Sequence, residues 1–151
     1  MLIRKAEAYW EGNLMEGKGR LTVGSGAIDV PYSVKSRLQD GQSATNPEEL
    51  LGAAHAGCFT MALAAQLSGA GFAPNDFHTI ARVSFEKVGD NFAITRIELE
   101  TSANVPGVDE AKFQAFVDEA KRNCPVSKAL VATEIKVKAT LAGHATAPAP
   151  M

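Results

Sequence analysis

At 151 residues, with 15 basic side chains against 17 acidic and a formal net charge of −2, the chain suits a single domain, 1–151. That near balance supplies no field to hold nucleic acid or an anionic membrane, so neither is expected as a partner. The opening Met1-Leu2-Ile3-Arg4-Lys5-Ala6-Glu7 puts charges where a secretory leader needs an unbroken apolar run. The expectation is a cytoplasmic chain whose two cysteines, Cys58 and Cys124, are reactive or simply buried rather than bridged for structure.

Residues 2–10 alternate loosely and run into the turn-like Glu11-Gly12-Asn13; residues 17–23 and 28–38 read as two further strands divided by Gly24-Ser25-Gly26. In the third strand Tyr32, Val34, Ser36 and Leu38 would share one face, and Ser33, Lys35 and Arg37 the other. A loop, Asp40-Gly41-Gln42-Ser43, leads to a helix start: Asn46 as cap, Pro47 at the first helical position, Glu49 three residues after the cap. This helix should run to about residue 68, with Gly69 and Gly71 as stops. Between Leu50 and Leu67 only His55, Thr60 and Gln66 are conspicuously polar, and a helix apolar on nearly every side belongs inside a protein. Its Ala and Gly content, with His55 and Gln66, argues against a membrane span.

After a linker at 71–76, residues 79–88 and 92–103 form a hairpin around Gly89-Asp90-Asn91. Pro106-Gly107 breaks the strand. Asp109 then caps a helix to about residue 122, with Phe113, Phe116, Val117 and Ala120 at helical spacing. In Asn123-Cys124-Pro125-Val126-Ser127, Pro125 opens a short helix to about residue 131 and places Cys124 at or near its N-cap. Residues 134–141 alternate as a half-exposed strand does, and 142–151, rich in Ala and Pro, read as a loose tail. The class is α+β with an antiparallel-rich sheet. A single six-strand sheet and two small helices hardly cover the long helix, and Gly52, Ala53, Ala56 and Gly57 would let another helix approach closely. The second layer is therefore expected from another copy of the chain.

Only a thiolate attacks, so the question is what stabilises one on each cysteine. One turn from Cys58 stand Ala54, His55, Met61 and Ala62, surroundings that favour the neutral thiol. Cys124, near a helix N-terminus, would be the more acidic thiol on these residues alone. His55 could serve as a base for Cys58, although a core histidine with its hydrogen bonds satisfied is the commoner case. A Cys/His acyl-transfer enzyme, or a non-catalytic protein holding a small ligand, therefore stands as an alternative. His78 and His144 show no metal spacing.

Taken together, the Asn-Pro-Glu-Glu-Leu opening, the Ala-Ala-His-Ala-Gly-Cys-Phe helix and the Asn-Cys-Pro-Val-Ser element resemble the OsmC/Ohr family of organic hydroperoxide reductases, over nearly the whole chain to about Leu141. His55 points to the OsmC branch, since Ohr-type members tend to carry Tyr there. The resemblance implies an OsmC-like fold, an intertwined homodimer with central helices between two sheets, and no cofactor. It implies Cys58 as the peroxidatic residue and Cys124 as the resolving one. It maps the active-site arginine onto Arg37 and the active-site glutamate onto Glu48, with Glu49 left to serve the helix end. Cys58 would attack an organic hydroperoxide, Cys124 would close a disulfide, and an external dithiol of lipoyl type would reopen it. Phe59 and Met61 suit alkyl or lipid hydroperoxides. Ten helical residues rise about 15 Å, so Glu48 cannot touch Cys58 of its own straight helix. It would either orient Arg37 or, as preferred on sequence alone, reach the thiol across the dimer interface.

Overall fold

The computed structural model describes residues 1–143, so His144 and most of the expected tail lie outside the described residues. The chain falls into two compact units, Met1–Leu50 and the remainder from Leu51.

In the first unit β1 (Ala6–Glu11), β2 (Lys18–Val23) and β3 (Asp29–Tyr32) form an antiparallel meander in the order β1-β2-β3. Trp10 and Tyr32 meet edge to face at 5.4 Å over Gly19, where a Cβ would lie 2.4 Å from the Tyr32 ring, so only glycine fits beneath the two rings. The expected third strand is too long. It ends at Tyr32, and a helix, α1 (Val34–Leu38), takes over, so the alternation through Val34, Ser36 and Leu38 does not define a strand face. The reason is a reciprocal cap: Ser36 N–H donates to Ser33 Oγ at 3.1 Å and Ser33 N–H donates to Ser36 Oγ at 2.9 Å, which stabilises a helical turn. Every residue of β1 is exposed, leaving this sheet without a dry face.

The long helix α2 (Pro47–Gly69) starts as its sequence says, with Glu49 N–H donating to Asn46 Oδ1 at 2.8 Å, while Thr45 Oγ1 donates to the Glu49 carboxylate at 2.9 Å. It stops in a Schellman arrangement: Phe72 N–H reaches Leu67 O at 3.0 Å, Gly71 N–H reaches Ser68 O at 3.1 Å, and Gly71 adopts φ +89°.

In the second unit β4 (Asp76–Val88) and β5 (Asn91–Asn104) form the hairpin, and β6 (Glu134–Leu141) pairs with β5 in parallel. The strands thus form two three-stranded sheets, not one of six, and the second is mixed. A parallel partner requires a crossover. Here α3 (Glu110–Asn123) and α4 (Pro125–Ala129) provide it, α4 ending sooner than its pattern suggested. Asp109 Oδ1 caps α3 through Lys112 N–H, and Cys124 is at once the C-cap of α3 and the N-cap of α4.

The core of this unit is built from Phe59, Leu63 and Leu67 on one face of α2, Ile97, Leu99 and Ala103 on β5, and Phe113, Val117 and Ala120 on α3. Three threonines inside are paired: Thr60 Oγ1 donates to Thr79 Oγ1 at 2.7 Å, and Thr79 and Thr101 share a hydrogen bond of 2.8 Å. Phe113 is fully buried, and Phe113→Ala is expected to lower stability by about 3–5 kcal/mol, read as an earlier urea midpoint. Within the single chain Ala53, Gly57, Met61 and Ala65 are exposed opposite the buried stripe, Met61 at 75%. Gly52 instead serves the sheet, where a Cβ would meet Val83 at 3.3 Å.

Candidate active site

The two cysteines, far apart along the chain, come together in the second unit. Cys58, half-buried on α2, stands in hydrogen-bonding contact with the sulfur of Cys124, which is 0% exposed at the junction of α3 and α4. Both are free thiols. Burial pushes the Cys58 thiol above its ordinary value, the Val126 N–H pulls it back in part, and the neighbouring Cys124 sulfur raises it further. Burial acts on Cys124 in the same upward sense, yet it is outweighed: the N–H and hydroxyl of Ser127, the Cys58 thiol and the Val126 N–H all support its thiolate, and its pKa falls. Of the two thiols Cys124 is the more acidic. This is the order of acidity that the bare sequence pointed to, and it comes from backbone amides, a hydroxyl and the neighbouring Cys58 thiol.

His55 lies one turn before Cys58 and is 0% exposed. Its Nε2 is 2.8 Å from Ser127 Oγ, and its Nδ1 has no hydrogen-bond partner among the described residues. The expected core histidine is therefore only half satisfied. Desolvation lowers its pKa, which keeps the imidazole neutral. Ser127, 7% exposed, is a side chain beside the thiols that the residue pattern did not single out; its place is two residues after Pro125, in the first turn of the helix at whose N-cap Cys124 stands.

A second cluster occupies the first unit. Arg37, on α1 rather than on a strand, donates from Nη2 to Glu48 Oε1 at 2.7 Å and from Nε to the two carboxylate oxygens at 3.0 and 3.3 Å. The Glu48 side chain is 8% exposed and the Arg37 side chain 43%, so the carboxylate is the sheltered half of the pair. The contact forms within one chain. Two bonds hold α1 against the start of α2 and so fix the pair: Ser36 Oγ donates to Thr45 O at 2.7 Å, and Asn46 Nδ2 donates to Ser36 O at 3.1 Å. Beside Arg37 opens a cavity of about 280 Å³ lined mainly by Trp10, Leu14, Tyr32, Val34 and Pro47, an apolar surface next to a cation.

A half-buried thiol touching a sealed, more acidic one is a two-cysteine redox arrangement, and sequence relationships say whose. Residues 39–140 match the family pattern described as OsmC-like protein. The chain belongs to the OsmC/Ohr family. It is 46% identical over 130 residues to Peroxiredoxin OsmC of Escherichia coli strain K12, covering 85% of this chain and 90% of that protein. It is 33% identical over 114 residues to the Organic hydroperoxide resistance protein of Xanthomonas axonopodis pv. citri, covering 74% of this chain and 78% of the other, which places it on the OsmC branch. The crystal structure of the Organic Hydroperoxide Resistance Protein OhrB of Bacillus subtilis superposes with a TM-score of 0.62 at 28% identity, covering 91% of this chain and 97% of that one. The α+β fold is thus OsmC-like. Glu48, Cys58 and Cys124 fall inside the matched OsmC segment, and Arg37 lies just before it.

Proposed function

We propose that this chain is a thiol-dependent peroxidase that reduces organic hydroperoxides to alcohols, with Cys58 as the peroxidatic and Cys124 as the resolving cysteine. The observation that carries the reading is the sulfur-to-sulfur contact between a reachable Cys58 and a Cys124 closed to solvent. A peroxide meets Cys58 first. The Cys58 thiolate attacks the distal oxygen, the O–O bond breaks, and the products are Cys58–SOH and an alkoxide that takes up a proton to leave as the alcohol. Cys124 then attacks the sulfenic sulfur, giving the Cys58–Cys124 disulfide and water. An external dithiol of lipoyl type returns both thiols while being oxidised itself.

The first step needs the proton to leave Cys58, which burial opposes. Arg37, a cation that does not titrate, is assigned to stabilise that thiolate, with Glu48 holding its guanidinium in a fixed orientation. The cavity beside Arg37 suits the alkyl arm of the hydroperoxide. The acyl-transfer alternative needs an imidazole on the Cys58 sulfur, whereas His55 Nε2 faces Ser127.

We read the two units as parts of one domain that is completed by a second copy. The exposed, small-residue face of α2 and the uncovered sheet of the first unit are the surfaces that an intertwined homodimer would close. Two unbridged thiols fit a cytoplasmic protein. The test is thiol counting after one equivalent of cumene hydroperoxide, without reductant. Wild type is expected to lose both thiols and Cys58→Ser none; loss of thiol in the Cys58→Ser protein would overturn the assignment.

A further inference from the structure

Nothing in the mechanism above uses His55, although it is a titratable side chain fully buried beside the thiol pair. A hydrocarbon would fill the same space without leaving a ring nitrogen unpartnered, so the histidine calls for a reason. Its one polar contact supplies it. Nε2 meets the Ser127 hydroxyl at 2.8 Å, and Ser127, three residues after Cys124 in the first turn of α4, is among the groups that lower the Cys124 pKa. Three buried groups from α2, α4 and the α3–α4 junction thus stand in the order His55, Ser127, Cys124.

The direction of the series follows from the tautomer. The imidazole is neutral, because burial opposes its charged form, and so carries a single N–H. Were that hydrogen on Nδ1, a buried donor would be orphaned, and Nε2 would take the Ser127 hydrogen away from Cys124. Orphaned buried N–H groups are rarer than unused acceptor lone pairs. With the hydrogen on Nε2, the unpartnered Nδ1 is only a lone pair, His55 donates to Ser127 Oγ, and Ser127 donates its own hydrogen to the Cys124 sulfur. A hydroxyl that already accepts one hydrogen bond is a stronger donor in the next.

We propose that His55 and Ser127 form a buried donor relay that holds Cys124 as a thiolate aimed at Cys58, so that the sulfenic acid is captured as a disulfide before a second peroxide reaches it. This rests on the peroxidase reading and deepens its second step. His55 is a positioning residue: it touches neither sulfur and acts through Ser127. In the step it serves, the Cys124 sulfur forms the S–S bond, the Cys58 S–O bond breaks, and the departing hydroxide leaves as water with a proton equivalent to the one Cys124 gave up. No further oxidant or reductant is needed.

The test separates the two steps in rapid-mixing experiments. In Ser127→Ala, cumene hydroperoxide should still form dimedone-reactive sulfenate, while its conversion to disulfide slows by about tenfold or more, as loss of one hydrogen bond to a charged sulfur implies. Ser127→Thr, which retains the hydroxyl, should restore fast conversion. His55→Leu should slow the same step yet melt no earlier than wild type, whereas His55→Gln, which keeps an N–H donor, should lie between. A readout free of peroxide accompanies these: in the Cys58→Ser background, the ultraviolet thiolate absorbance of Cys124 at neutral pH should fall when Ser127→Ala is added. Unchanged disulfide formation and unchanged thiolate absorbance in Ser127→Ala would overturn the relay. Failure of wild type to form sulfenate at all would sink the peroxidase reading instead, with the absorbance still deciding the relay.

Discussion

Cys124→Ser is expected to react with one equivalent of hydroperoxide as wild type does, lose one thiol rather than two, and then stop. Of the two thiols the first chemical step needs only Cys58, which is half-buried and within reach. The second needs a thiol already in contact, and well-oriented intramolecular groups act at effective molarities of about 10⁵ M or more, which a dissolved dithiol cannot match. Steady-state turnover with an external dithiol should therefore fall by at least about a hundredfold. The stranded sulfenic acid has only more peroxide to meet, and mass spectrometry should find a sulfinic acid on Cys58, an oxidation that the disulfide forestalls. Sustained cycling of Cys124→Ser at the wild-type rate, with no sulfinic product, would remove Cys124 from the mechanism.

The second large effect belongs to the ion pair. A fixed opposite charge lowers a thiol it stabilises by about one to three pKa units, so on the role proposed for it Arg37→Met should slow the reaction of Cys58 with hydroperoxide at neutral pH by roughly ten- to a thousandfold. The sign is set by the environment of Cys58. Burial already raises its pKa, so removing a cation moves the midpoint of the rate profile further into alkali, and raising the pH should recover the rate. Glu48→Gln should cost less, because it leaves the charge in place and loosens only its aim. Arg37→Lys should not rescue, since a lysine cannot make the bidentate contact in which Nε and Nη2 both engage the carboxylate. The nearly buried carboxylate of Glu48, left unpaired in Arg37→Met, should also lower stability by about 1–3 kcal/mol. Peroxide kinetics must be compared below the melting range of each variant. A wild-type rate and pH profile in a folded Arg37→Met protein would leave the guanidinium without a catalytic part.

Much of this molecule is written locally. Asn46-Pro47 with Glu49 spells out a helix start through a side-chain bond of 2.8 Å, and Gly71 its end through a positive φ, because each is an interaction between residues a few positions apart. Asp109, Pro125 and the alternation of β6 were legible for the same reason. The error at Arg37 is also local. Tyr32, Val34, Ser36 and Leu38 alternate like a strand, but the Ser33–Ser36 capping box offers the backbone better bonds in a helical turn. Of the site, both cysteines and the acidic character of Cys124 could be read from residue types and a following proline.

The sequence by itself determined the ends of the helices, the chemistry available at Cys58 and Cys124, and the family to which they belong. Only the tertiary structure decided that the strands divide into two sheets, that β6 runs parallel to β5, that Arg37 grips Glu48 of its own chain, and that His55 meets Ser127. The physical reason is range. Caps and turns are settled by neighbours whose geometry the backbone dictates. Contact between side chains remote in sequence depends on how the whole core closes around them, and no local pattern carries that information.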